Sequence, residues 1–305
     1  MTQFYQASTM TAILAFTMTM PVVMPAPVLA QAQQCRTTNA TEIASLFDRW
    51  NQSLQTGDPN KVVANYDADS ILLATLANKP RITSAEKKEY FVHFLEKKPV
   101  GKIDSQKITI DCNTASNSGV YTFTFGDGSK VQARYTYNYR WNGKQWLIAT
   151  HHSSAMPEKV ATAAKPEVAG KEGTNSATHT CRPTNTREIA SLFDRWNQSL
   201  QTGNPDAVVA NYGTSSVLLP TLSNEVLMTA EQKKAYFTEF LKKKPSGIID
   251  MRSIFIDCNS AVDAGLYTFT FGDGTQAKAR YTYTYGWNGS KWVITSHHSS
   301  LFPQR

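Results

Sequence analysis

The chain has 305 residues, 41% hydrophobic and 18% charged, with a net charge of +7 and a pI near 9.1. That is enough apolar side chain for two packed cores and too little charge for a disordered chain. The lysines and arginines are scattered or sit at helix ends, which describes a solvated basic surface and argues against a nucleic-acid partner.

Residues 1–30 contain no charged side chain. Thr11 to Ala30 is largely apolar and closes on Val28-Leu29-Ala30, a small-residue cleavage pattern, so 1–30 reads as a secretory signal peptide. Its N-terminal end lacks the usual Lys or Arg. Pro21, Pro25 and Pro27 break the run and weaken a spanning helix. The expectation is a periplasmic or secreted protein, free of the membrane once the signal is cleaved.

From Cys35 the chain repeats itself. Aligning 35–157 with 181–303 needs no gaps, and 76 of 123 positions are identical, so this is a duplicated domain. The expected boundaries are 31–157 for the first domain and 181–305 for the second. Residues 158–180 lack aromatics and periodicity and read as a linker. A flexible chain of that length spans roughly 25 Å, enough for the two domains to pack side by side as an intrachain pseudo-dimer.

Each copy holds two cysteines at matching places, Cys35 with Cys112 and Cys181 with Cys258. Four cysteines allow three pairings, and pairing within each copy is the one a domain could make alone. Each such bridge would be worth about 4–5 kcal/mol at most by chain entropy. Four buried thiols are the alternative. No C-x-x-C spacing exists, which argues against zinc.

Asn39 followed by Glu42 starts a helix on which Ile43, Phe47, Trp50 and Leu54 share a face, ending at Gly57. Asp58-Pro59 opens a short second helix. Ser70 to Leu76 reads as a strand, and Thr83 with Glu86 caps a third helix burying Tyr90, Phe91, Phe94 and Leu95. Its basic end, Lys97-Lys98, faces the negative pole of the helix dipole. From Ile103 the period becomes two. Ile108 to Cys112, Val120 to Phe125, Val131 to Trp141 and Trp146 to His152 are strands, with Asp127-Gly128 and Asn142-Gly143 as type I′ turns. Helices first and then an antiparallel meander make the class α+β.

Two-residue turns place Tyr121, Arg134 and His151 in one row across three strands, and Tyr267, Arg280 and His297 in the second copy. Both sheet faces are rich in aromatics. The Arg134 face is assigned to the domain interior, against the first helix, and the face of Tyr135, Tyr137 and Tyr139 to the other domain. An inward guanidinium needs a carboxylate, backbone oxygens or a bound anion. Three readings stand: a salt bridge to Glu42 or Asp48, a pocket for a small anion or carboxylate, or a slipped register that leaves Arg134 exposed. His151, beside a cation, stays neutral and could act as a base or a hydrogen-bond donor. His151 and His152 are strand neighbours and point to opposite faces, so a shared metal ion is not expected. No cofactor motif is present.

The run ARYTYNYRWNGKQWLIATHHSSAMP, with LFDRWNQSLQTGDPNKVVANY and VYTFTFGDG before it, resembles bacterial proteins related to the association domain of calcium/calmodulin-dependent protein kinase II. These belong to the NTF2-like, or SnoaL-like, superfamily and include those labelled SgcJ/EcaC. The resemblance covers each copy nearly end to end. It implies two tandem cones, each a curved antiparallel sheet packed on N-terminal helices with a pocket between. It also implies dimerisation through the sheets, larger homo-oligomers in the kinases, and a carboxylate pocket with several arginines. Arg134 and Arg280 fall where one of those arginines lies, while Phe123 and Ser153 stand near the places of two others. The kinase catalytic and calmodulin-binding segments are absent.

The reading that follows is an exported, non-catalytic binding and assembly protein with a pocket in each domain. Its alternatives are an isomerase, cyclase or dehydratase with His151 and His297 as bases, and a pure oligomerisation scaffold.

Overall fold

The computed structural model describes residues 32–157 and 178–303 and contains the same α+β unit twice. The expected signal peptide, residues 1–30, lies outside the described residues, as does the expected linker up to 177. The linker's last residues form a strand, β7 (Thr178–Thr180), paired antiparallel with β1 (Ala32–Gln34). The Cys35–Cys112 and Cys181–Cys258 bridges are both formed, within each copy, as an oxidising compartment outside the cytoplasm permits.

In the first domain local chemistry sets the helices. The Asn39 side chain accepts the Glu42 amide to open α1 (Ala40–Gln55), whose Ile43, Phe47, Trp50 and Leu54 are buried. Asp58 caps α2 (Pro59–Val63), and Thr83 with Glu86 forms a full capping box for α3 (Ser84–Glu96). The strands are β2 (Tyr66–Leu73), β3 (Val100–Ile110), β4 (Thr114–Thr124), β5 (Lys130–Trp141) and β6 (Trp146–Ala155). They lie in the order β2-β6-β5-β4-β3, a meander with β2 added parallel to β6. The second domain repeats this with α4 (Thr186–Gln201), α5 (Pro205–Val209), α6 (Ala230–Leu241) and β8 (Tyr212–Leu219), β9 (Ser246–Ile256), β10 (Ser260–Thr270), β11 (Gln276–Trp287) and β12 (Trp292–Leu301).

The register departs from the sequence reading. Neither dipeptide makes a type I′ turn, because φ is positive at Gly128 and Gly143 but not at Asp127 or Asn142. The Asp127 carboxylate accepts the Ser129 amide, and the Asn142 side-chain oxygen accepts the amides of Lys144 and Gln145. These side chains hold the turn open, so that Phe125 N–H reaches Ser129 and Asn142 N–H reaches Gln145. Thr124 therefore pairs with Lys130 and Trp141 with Trp146. A further bulge follows beside Asn138.

The slip between β4 and β5 is one residue, and one residue exchanges the faces. Arg134 pairs with Val120 and Ser154, Tyr121 with Ala133, and His151 with Tyr137. The predicted row is broken. Tyr121 and His151 face inward with Tyr135, Tyr137 and Tyr139, against Phe47 and Trp50 of α1. Arg134 and His152 face outward, toward the other domain. For β5 the face assignment is thus the reverse of the sequence expectation, while Tyr121 and His151 lie on the interior face as expected.

The outward faces meet. His152 and His298 stack with ring centroids 3.7 Å apart. His152 Nε2 is 2.9 Å from Ser300 Oγ, and Ser154 Oγ is 2.8 Å from His298 Nε2. The backbone amide of Asn113 donates to Asp257 at 2.7 Å, and that of Asn259 donates to Asp111 at 2.8 Å. Ile71 and Leu73 of β2 pack on Val262 and Ala264 of β10. Among the described residues no helix is long and apolar enough to cross a membrane.

Candidate functional site

Between α1, α3 and the inner sheet face, each domain encloses a cavity. That of the first is about 120 Å³ and that of the second about 230 Å³. The walls of the first include Trp50, Phe91, Phe94, Phe123, Tyr90 and Tyr121. Sixteen lining positions correspond and two of them differ, Ala74 against Pro220 and Val131 against Ala277; the second lining adds Leu301. The smaller alanine at the second position fits the larger cavity.

The polar end of each cavity is built from hydroxyls. Ser153 bonds both Thr75 and Tyr121, and Ser299 bonds Thr221 and Tyr267. Beside this cluster sits His151. The Tyr66 hydroxyl is 2.7 Å from its Nδ1, and the Tyr212 hydroxyl is 2.8 Å from Nδ1 of His297. Burial pushes Tyr66 well above the usual phenol range, so it keeps its proton, and pushes His151 down to about 3. The sequence expectation of a neutral His151 agrees with this, but the cause is burial rather than a neighbouring arginine. With the phenol donating to Nδ1, the imidazole carries its proton on Nε2. Nε2 of both His151 and His297 is buried without a hydrogen-bond partner. A buried donor left alone costs about 1–3 kcal/mol, which an acceptor in the cavity would recover.

Arg134 and Arg280 line neither cavity. They are held by backbone oxygens, one of the options open to an inward cation, but from the opposite domain. Arg134 donates to Pro220 O, to Ser223 O at 3.3 Å and to Ser299 O at 3.4 Å. Arg280 donates to Ala74 O and to Ala77 O at 3.4 Å. Glu42, suggested as a partner, pairs with Arg36 instead. Each guanidinium therefore braces the loop behind the other domain's cavity. Thr75, on that loop, and Tyr66 went unrecognised in the sequence. The readable signal for Thr75 was its retention, with Leu76 and Asn78, in a loop whose other residues diverge between copies. Among the described residues no three His, Cys, Asp or Glu side chains gather where they could hold a metal.

A sheet folded over helices around an aromatic cavity defines the NTF2-like, or cystatin-like, α+β domain, present here in tandem. The chain belongs to the calcium/calmodulin dependent protein kinase II association domain family, whose model matches twice, at residues 39–157 and 185–303. A solved structure assigned to that association domain, from Xanthomonas campestris, is 48% identical, covering 40% of this chain and 91% of its own, with a TM-score of 0.39. An NTF2-like protein of unknown function from Pseudomonas putida KT2440 is 18% identical over 37% of this chain and 84% of its own, with a TM-score of 0.35. A cystatin-like protein of unknown function from Nostoc punctiforme is 15% identical over 39% and 91%, with a TM-score of 0.35. No curated protein matches the sequence.

Proposed function

We propose that this is an exported binding protein whose two domains, fixed face to face, each hold one small molecule without transforming it. The molecule has a single apolar ring or a body of that size, and an oxygen acceptor at its buried end. The observation that carries this reading is the pairing of an enclosed aromatic cavity with an unpartnered His151 Nε2, repeated at His297. Dry cavities near 150 Å³ hold benzene-sized molecules, which sets the scale. Lys97 and Lys243 stand among the lining residues and are exposed, so a carboxylate would be met at the mouth rather than by Arg134 or Arg280. A basic role for His151 is disfavoured by its low proton affinity, since a general base works best with a pKa near the operating pH. Export is supported by the two disulfides and by the pattern of residues 1–30.

Titration with 4-hydroxyphenylacetamide, a neutral phenol, tests the cavities. The expected result is saturable binding at two sites per chain. Val131→Trp, at the exposed mouth of the first cavity, removes one site, and Ala277→Trp removes the other. Absence of binding, or stoichiometry indifferent to both plugs, defeats the reading.

A further inference from the structure

The interiors of the two cavities are nearly identical, but their mouths are not. Outside the first cavity lies an open groove of about 450 Å³ that shares Leu76, Tyr90, Phe94 and Lys97 with the cavity wall, so the two spaces adjoin. Its charged lining is Lys79, Arg81 and Lys97 against one carboxylate, Glu89, with His93 beside them. Glu86, which pairs with Lys79 at 2.8 Å, is outside that lining and also accepts the amides of Ile82 and Thr83. Arg81 and Glu89 are 3.5 Å apart. The positions 146 residues on read differently. Lys79 is replaced by Glu225, Arg81 by Leu227, Glu89 by Ala235 and His93 by Glu239; only Lys97 is kept, as Lys243. Three cations against one carboxylate become one cation against two carboxylates. Leu227 is buried, so the arginine's place has gone to the core, and Glu239 is met by Lys242 at 2.6 Å.

From this contrast we infer that the two sites have divided their ligands by charge. The first takes molecules whose outer end is anionic, and the second takes molecules whose outer end is neutral or cationic. Both share the same buried ring and acceptor. This rests on the cavity reading above and adds to it which chemical class each cavity selects. The interior, nearly the same in both copies, recognises the common part. The rim, where the copies differ, adds a Coulomb term of opposite sign. Two charges at a few ångströms across solvent are worth about tenfold in affinity, falling as salt rises.

The test compares 4-hydroxyphenylacetate with its neutral amide at each site of the full chain, using Ala277→Trp to leave the first cavity open and Val131→Trp to leave the second. At the first site the acid should bind about tenfold more tightly than the amide, and at the second the order should reverse. Lys79→Glu with His93→Glu, both exposed, should abolish the preference at the first site by weakening the acid more than the amide. Glu225→Lys with Glu239→His should move the second site toward the acid. Amide binding at both sites with equal acid-to-amide ratios, or ratios unmoved by the exchange, overturns the inference and leaves the cavity reading standing. If neither compound binds either cavity, both fall together.

Discussion

A guanidinium no more than 2% exposed and surrounded by carbonyl oxygens rather than a carboxylate is the most demanding side chain in each half. Desolvation pushes Arg134 down to about 9 and Arg280 down to about 10, which still leaves both charged at neutral pH. The planar fork explains why arginine stands here: one group meets several carbonyls of a loop at once, where an ammonium would meet them as a point charge. Arg280 belongs to the second domain by sequence and to the first domain's cavity by contact, because Ala74, whose oxygen it binds, precedes Thr75 of the hydroxyl cluster. Arg280→Ala strands Ala74 O and Ala77 O without their donor. It should lower stability by about 3 kcal/mol, and Arg280→Lys should recover little of that. The urea midpoint at constant m-value measures it. A loss under about 1 kcal/mol would mean that water replaces the guanidinium without strain.

At the scale of elements, what the sequence discloses and what it hides divide by the range of the interactions involved. The caps at Asn39, Asp58 and Thr83 are decided within four residues and were legible, as was the internal repeat. Strand ends were less so: β3 begins at Val100, where alternation was not yet visible. Register was not legible at all from the dipeptides. Asp-Gly and Asn-Gly permit either a two-residue turn or a wider one closed by the Asx side chain, and the choice shifts every later pairing. Hence Tyr121 and His151 were correctly grouped with each other but wrongly with Arg134. Glycines bear on the same question. A Cβ on Gly119 would lie 2.0 Å from the carbonyl oxygen of Ser105, beside the bulge where β3 changes register against β4. Gly119→Ala must therefore push the edge strand away, at a cost of about 2–3 kcal/mol, with faster amide exchange along β3. Gly126→Ala meets the Lys98 side chain, whose Cβ would lie at 3.1 Å, and should cost less than Gly119→Ala. Equal effects at the two sites would show that the bulge is not fixed by that close approach.

Across the whole molecule, four buried histidines make assembly of the two sheets sensitive to acid. His151 and His297 sit in the cavities, and burial holds each down to about 3. His152 and His298 stack on each other at the centre of the interface, depressed far below the ordinary histidine range first by burial and then by Arg280, Arg134 and one another. A base whose folded pKa is depressed leaves stability intact above its unfolded value, about 6.5. Below that, the unfolded chain takes up protons that the folded one refuses, and stability falls by about 1.4 kcal/mol per pH unit for each histidine. Asp263, a buried acid raised to about 6, acts in the opposite direction, because the folded state gains its proton first between about 6 and the ordinary carboxylate value. Asp257, also raised by burial, acts the same way, and four histidines against two acids still leave a net loss on acidification. Between pH 7.5 and 4.5 the urea midpoint should therefore drop steeply. His152→Gln with His298→Gln should remove about half of the slope, since the cavity pair remains. Protonation of either stacked histidine sets a new cation against its partner ring and near both arginines. A second cation, added beside Arg134 and Arg280, would have to leave the contact, so acid should expose the two sheet faces to amide exchange before either domain core opens. A pH profile unchanged by the double substitution would place the acid sensitivity elsewhere.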